Sequence, residues 1–220
     1  GSLDSVRELA GELLARYPRI DVLANNAGGQ SVRRTVTGDG HEMTFQVNYL
    51  APFLLTGLLL DRLKESPDAR VISTSSVGHK FGRLDLADLN GAGTRYWTMK
   101  AYANWKLGNV LFTRELARRS KGTSVTATAF HPGTARSDFF RDGGWLGGIL
   151  ASPVGKLITI TPEQGAEPLV HLATLADPQS VNGAYFDRMK QREPKGPQAT
   201  DDDFAHRLWD RTEELLGVTT

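Results

Sequence analysis

Residues 20–29 read Ile20-Asp21-Val22-Leu23-Ala24-Asn25-Asn26-Ala27-Gly28-Gly29, a short apolar run that passes directly into amides and glycines. A strand buried on both faces of a parallel sheet has this form, because it lacks polar alternation and ends where the chain must turn into a crossover. The same pattern recurs at Ala69 to Thr74, at Ser124 to Phe130 before His131-Pro132-Gly133, and more briefly at Ala184-Tyr185-Phe186. Helical signals separate these runs. Leu3, Val6, Leu9, Leu13 and Leu14 carry helical spacing up to Pro18. A long helix is expected from Asp39 to about Glu65, with Asp39 and Glu42 as a cap pair, and another from about Thr98 to Ser120. Thr161-Pro162-Glu163-Gln164 opens a helix to about Ala176, and Asp201 to Leu216 forms a last one with acids in its first turn. Helix and strand in alternation predict an α/β fold: a Rossmann-type, doubly wound parallel sheet with helices on both faces.

The chain has 220 residues and a formal charge of +1, from 26 basic and 25 acidic side chains. That length suits one domain spanning residues 1–220. The balanced charge predicts neither nucleic acid nor an anionic membrane as partner, which leaves small molecules. The absence of cysteine removes disulfides, thiol nucleophiles and thiolate metal sites, and fits a reducing, cytoplasmic location. His41, His79, His131, His171 and His206 are scattered singly, so no metal site is expected. The apolar stretches at Leu50 to Leu60 and Trp145 to Ile160 are broken by Pro52, Thr56 and Gly57 and by Ser152, Pro153 and Lys156, which argues against a spanning helix.

In an open α/β sheet the ligand lies beyond the carboxyl ends of the strands, where diverging loops leave a crevice. The polar clusters fall there: Asn25-Asn26-Ala27-Gly28, Ser73-Thr74-Ser75-Ser76 and His131-Pro132-Gly133-Thr134. Each taken singly is also ordinary turn chemistry. Tyr102 and Lys106 lie one helical turn apart, and Asn109 and Thr113 continue the stripe. The bland alternative for that pair is a solvated face with a snorkelling lysine.

Taken together, Asn25 to Gly28, Asn48 in Phe45-Gln46-Val47-Asn48-Tyr49, Ser75-Ser76, Tyr102 to Lys106 and His131-Pro132-Gly133 resemble the short-chain dehydrogenase/reductase family in its classical form. Ala101-Tyr102, Lys106 to Phe112 and His131 to Thr134 are most similar to its retinol-dehydrogenase-like branch. The resemblance implies an oxidoreductase that moves hydride between NADP or NAD, with NADP favoured, and a small hydrophobic alcohol, aldehyde or ketone. It implies Tyr102 as general acid/base, Lys106 as its activator and ribose ligand, Ser76 as the carbonyl-orienting hydroxyl and Asn48 as holder of a proton-relay water. Asn25, Asn26, Ala27, Gly28, Pro132, Gly133 and Thr134 would line the cofactor, with Gly28 permitting close approach. A phenol ionises near pH 10, so work near neutrality needs about 4 kcal/mol. One ammonium at ~4 Å in an effective dielectric of about 20 supplies roughly that, which predicts a Tyr102 pKa depressed by Lys106.

Two departures stand out. Trp105 replaces the serine common before the catalytic lysine, and the glycine-rich phosphate loop with its two strand-helix units, which open the family's fold, is not in the sequence. An upstream segment, or a partner chain covering the edge beside Ile20 to Ala24, is therefore expected, and a homo-oligomer is one form of that partner. The competing reading is a truncated, inactive relative serving as a binding or scaffold protein. Phe139, Phe140, Trp145, Leu146, Ile149 and Leu150, with Trp97 opposite, read either as an apolar substrate wall or as a lid or subunit contact.

Overall fold

In a computed structural model describing residues 1–133 and 161–220, one sheet runs in chain order through β1 (Val22–Asn25), β2 (Ala69–Thr74), β3 (Val125–His131), β4 (Tyr185–Asp187) and β5 (Lys190–Arg192). The first four strands are parallel, with Leu23 opposite Val71, Val71 opposite Ala127 and Ala129 opposite Tyr185. β5 was not expected. It pairs antiparallel with β4 through a tight turn in which Arg188 has a φ of 55°, and its three polar residues are all exposed, so no apolar alternation announces it.

The helices are α1 (Leu3–Arg16), α2 (Met43–Lys64), α3 (Thr98–Arg119), α4 (Pro162–Thr174) and α5 (Asp202–Leu216). Ser2 caps α1, Asp201 caps α5, and Thr161 with Gln164 forms the expected reciprocal cap of α4. The start of α2 corrects the sequence reading. Residues 35–43 fold back on themselves first, with Thr37 N–H on the His41 carbonyl (2.8 Å) and Met43 N–H on that of Thr35 (2.9 Å). Glu42 alone then caps the helix, accepting from Thr44 and Phe45 N–H, while Asp39 turns away to accept from Leu3 N–H and Gln46 Nε2.

Side chains on a strand alternate between faces, and neighbours on β2 go to different layers. Val71 joins the core beneath α1, α2, α3 and α5, whereas Ile72 packs with Phe130, Phe186 and Leu172 of α4 on the other side. The sheet is thus covered on both faces at β2 to β4, whereas β1 is buried on one face only, with Val22 and Ala24 exposed, which corrects the expectation of a strand buried on both sides. Phe45, Tyr49 and Phe53 recur every four residues along α2 and meet Trp105 and Phe112 of α3 and Trp209 of α5. Trp105 stacks on Phe45 at 3.9 Å between ring centres, which gives the departure from serine a packing role. Gly108 makes this approach possible, since a Cβ there would sit 2.9 Å from the Tyr49 ring.

By length and composition α2 could cross a membrane. Its large apolar side chains are spent on the core instead, with Phe45, Leu50, Phe53, Leu54, Leu59 and Leu63 essentially inaccessible.

Candidate active site

The parallel register brings the predicted clusters to one edge of the sheet. Asn25 lies opposite Ser73, Thr74 opposite Phe130, and His131 opposite Asp187, so Asn25, Ser76 and Pro132 all leave from carboxyl ends. Hydrogen bonds then tie the tips together. Asn25 Nδ2 donates to Thr56 Oγ1 (3.0 Å), and Thr74 Oγ1 donates to Asn26 Oδ1 (2.9 Å). The Thr74 carbonyl accepts from Lys106 Nζ (2.9 Å) and Asn109 Nδ2 (3.1 Å), and Ser75 Oγ donates to the Lys106 carbonyl (2.7 Å). The stripe along α3 is therefore docked on the tip of β2 and is not a solvated face.

Asn48 sits in a π-turn, Gln46–Leu50, embedded in α2. Such a turn bulges the helix and re-aims one side chain. The carboxamide grips the loop after β1 from both sides: Nδ2 donates to the Gly29 carbonyl (2.7 Å) and Oδ1 accepts from Gly29 N–H (3.2 Å). Nδ2 also reaches the Thr44 carbonyl at 2.8 Å. This changes the reason for Gly28. A Cβ there would lie 2.6 Å from Asn48 Oδ1 and 3.3 Å from Lys106 Nζ, so the glycine makes room for the protein's own catalytic candidates.

Ser76 opens a single 3₁₀ turn, Val77–Phe81, with its Oγ accepting from Gly78 N–H (3.2 Å) and hydrogen-bonded to the Tyr102 side chain. Lys106 lies 5.4 Å from the centre of the Tyr102 ring. The predicted Tyr102 pKa is corrected here. Burial pushes the phenol up to about 12, with the Ser76 hydrogen bond acting against it. The Lys106 ammonium stands over the ring face and spends a hydrogen bond on Thr74, and burial pushes it down to about 8. Burial likewise lowers His79, and lowers His131 to about 4.

Among the described residues no carboxylate lies within ion-pair distance of Lys106, and its ammonium has three N–H donors to place. A buried cation with donors to spare, beside the exposed Asn26-Ala27-Gly28 segment, fits the ribose hydroxyls and carboxamide of a nicotinamide dinucleotide. No cluster that could hold a metal ion occurs among the described residues.

Pro132 and Gly133 follow β3, with Gly133 at a φ of 102°. Thr134, and the wall residues Phe139, Phe140, Trp145, Leu146, Ile149 and Leu150, lie outside the described residues. Trp97 is two-thirds exposed and lines a groove of about 540 Å³ with Tyr96, Lys100, Trp105 and Phe204, which includes none of Ser76, Tyr102 and Lys106. His79 was passed over in the sequence as one of five scattered histidines, yet its side chain touches the Ser76 backbone. Its position three residues after Ser76 was the available signal.

The family described as short chain dehydrogenase matches residues 1–143. Human retinol dehydrogenase 13 is 43% identical over 99% of this chain and 66% of its own length. Mouse retinol dehydrogenase 14 is 42% identical over 99% of this chain and 65% of its own length. The chain thus spans just under two thirds of these curated relatives. Among solved structures, an uncharacterised protein from Mycobacterium Paratuberculosis superposes with a TM-score of 0.76 at 31% identity, covering 99% of this chain and 73% of that one. A short chain dehydrogenase from Pseudomonas syringae gives 0.61 at 25% identity, over 86% and 69%.

Proposed function

The chain belongs to the short chain dehydrogenase family, and from that premise we propose that it carries the catalytic part of an NADP- or NAD-dependent oxidoreductase acting on a hydrophobic alcohol, aldehyde or ketone. One observation carries the reading: Ser76 and Tyr102 share a hydrogen bond while the Lys106 ammonium stands beside the phenol, one helical turn along. The bound nicotinamide supplies or accepts the hydride. Everything else falls to the chain's own side chains. Ser76 Oγ holds the substrate oxygen, and Tyr102 Oη gives that oxygen its proton in reduction or removes it in oxidation. With burial holding the phenol near 12, the proton is in place for the reductive direction at neutral pH. For the oxidative direction Lys106 is the charge that favours the phenolate, and its ammonium also holds the ribose. Asn48 keeps the loop after β1 against this centre, and by the family resemblance it would hold a proton-relay water.

Asn26 to Gly28 and Pro132 to Thr134 would line the dinucleotide, with NADP favoured by the family branch. The curated relatives are named as retinol dehydrogenases, so retinoids stand first among the substrates to try. A scaffold would have no use for an ammonium buried at the cost that Lys106 bears.

The test follows nucleotide absorbance in the intact protein with retinoids, medium-chain aldehydes and ketones, using NADPH and NADH and their oxidised forms. Tyr102→Phe removes the transferable proton and little contact surface. Turnover should fall about 10²- to 10⁴-fold with nucleotide affinity changed less than about threefold. Unchanged turnover in that variant would mean the acid/base is another group.

A further inference from the structure

The reaction outlined above makes no use of one wholly buried imidazole beside it. The His79 side chain has 0% exposure and belongs to the 3₁₀ turn that begins directly after Ser76. Its Nδ1 lies 2.6 Å from the Ser76 carbonyl oxygen, which also accepts the His79 backbone N–H at 3.1 Å. A carbonyl can only accept, so Nδ1 carries the proton in this bond. The ring rests on Tyr185 of β4, 4.7 Å between centres, and its Nε2 has no hydrogen-bond partner among the described residues.

Ser76 is thereby fixed at both its polar ends. Its hydroxyl is held between Gly78 N–H and Tyr102, and its carbonyl by the two donors of His79. The backbone bond alone closes a 3₁₀ turn, whose hydrogen-bond geometry is poorer than that of an α-helix. The imidazole adds a short second donor and anchors the turn to β4.

We propose that His79 is the positioning residue of the catalytic serine: its Nδ1–H, held to the Ser76 carbonyl by packing on Tyr185, aims the Ser76 hydroxyl at Tyr102. This rests on the reading of Ser76 and Tyr102 as the reacting pair. A hydroxyl displaced by about 1 Å from productive geometry costs about 10²-fold in rate, so one backbone clamp is enough to matter.

The experiment compares His79→Asn, His79→Gln and His79→Leu in the intact protein. Asn places an N–H donor where Nδ1 stands, Gln places one a bond further out, and Leu fills volume with no donor. Gln and Leu should lower kcat roughly 10- to 100-fold with KM within about threefold, while Asn stays within about threefold of the parent in both. A second readout needs no turnover. With tyrosine labelled at Cζ, the Tyr102 carbon resonance, assigned by its loss in Tyr102→Phe, should move in the Gln and Leu proteins and hold in Asn. Melting temperatures separate a general loss of stability from this pattern, and Gln carries the comparison should Leu fail to fold. Parent-like kcat and an unmoved Tyr102 signal in Gln would overturn the proposal, as would equal damage in Asn and Gln. A parent protein without turnover whose Tyr102 signal follows the predicted order would sink the oxidoreductase reading and leave the positioning of Ser76 standing.

Discussion

Lys106 holds its charge where the surroundings disfavour it. The side chain is 4% exposed, its ammonium touches the Thr74 carbonyl, and burial brings it from an ordinary 10.5 to about 8. Below pH 8 both folded and unfolded chains keep the proton, and the fold bears a desolvation cost of up to about 3 kcal/mol. Between about 8 and 10.5 the folded chain releases the proton while the unfolded chain keeps it, so this group makes stability rise with pH across that window. Lys106→Met, which fills the space without charge, should therefore be more stable than the parent at pH 7 by about 1–3 kcal/mol, less whatever the Thr74 bond contributes. The gain should shrink as pH passes 8. Urea titrations of both proteins at several pH values measure it, and a variant less stable than its parent at pH 7 would show that the ammonium is a net stabiliser. The Tyr102 phenol behaves in the opposite sense to the sequence expectation for a related reason: residue spacing reveals which groups are neighbours, whereas burial, which sets the direction here, is a property of the folded core.

At the scale of elements, α3 and α5 are joined by a carboxylate. Glu115 of α3 is buried, and Arg118 and Arg119 of the same helix and His206 of α5 all hydrogen-bond to it. Burial pushes this carboxyl up, but the hydrogen bonds from Arg118, Arg119 and His206 together outweigh it and hold the group at about 2. Its folded pKa lies below the ordinary 4.5, so its contribution is fully present above about 4.5 and is lost as pH falls from there toward 2. Glu115→Gln should cost about 1–2 kcal/mol at pH 7, a fall in melting temperature of roughly 2–8 °C. The difference from the parent should shrink below pH 4.5 and close only near pH 2. A pH-independent difference would assign the loss to packing. The helices themselves were legible because caps and apolar spacing are local: Thr161 with Gln164 and Asp201 stand where the sequence put them. Asp39 was misread because its partners, Leu3 N–H and Gln46 Nε2, are settled by tertiary contact. The π-turn that aims Asn48 and the exposed polar β5 leave no apolar rhythm to read. Ser76, Tyr102, Lys106 and Asn48 were singled out through recurring motifs, whereas His79 bonds to a backbone carbonyl, and a backbone partner has no letter in the sequence.

Across the whole molecule the sheet is asymmetric. β1 is an edge strand in the described residues, with Val22 and Ala24 exposed on one face, while β4 at the other side is closed off by β5. Dinucleotide pyrophosphate is held in such folds by backbone N–H groups of a glycine-rich turn at a helix N-terminus, where the helix dipole also favours negative charge. In the described residues those donors are largely spoken for. Asp39 accepts from the first N–H of α1, Glu42 caps α2, Thr161 caps α4 and Asp201 caps α5, while α3 begins after Trp97 without a side-chain cap and without a glycine-rich turn directly before it. The glycines of Gly38-Asp39-Gly40 belong to the fold-back before α2, where Gly40 N–H is taken by the Thr37 carbonyl. On the proposed reading the edge of Ser76, Tyr102 and Lys106 would hold only the nicotinamide end, which carries the smaller share of the cofactor's charge. The 220-residue chain should therefore bind NADH and NADPH only in the millimolar range, about 4 kcal/mol, and should self-associate through the open edge of β1. Calorimetric titration with both nucleotides, run beside light scattering, decides it. Micromolar binding by a monomer would mean that pyrophosphate finds its donors among groups given no part in it above.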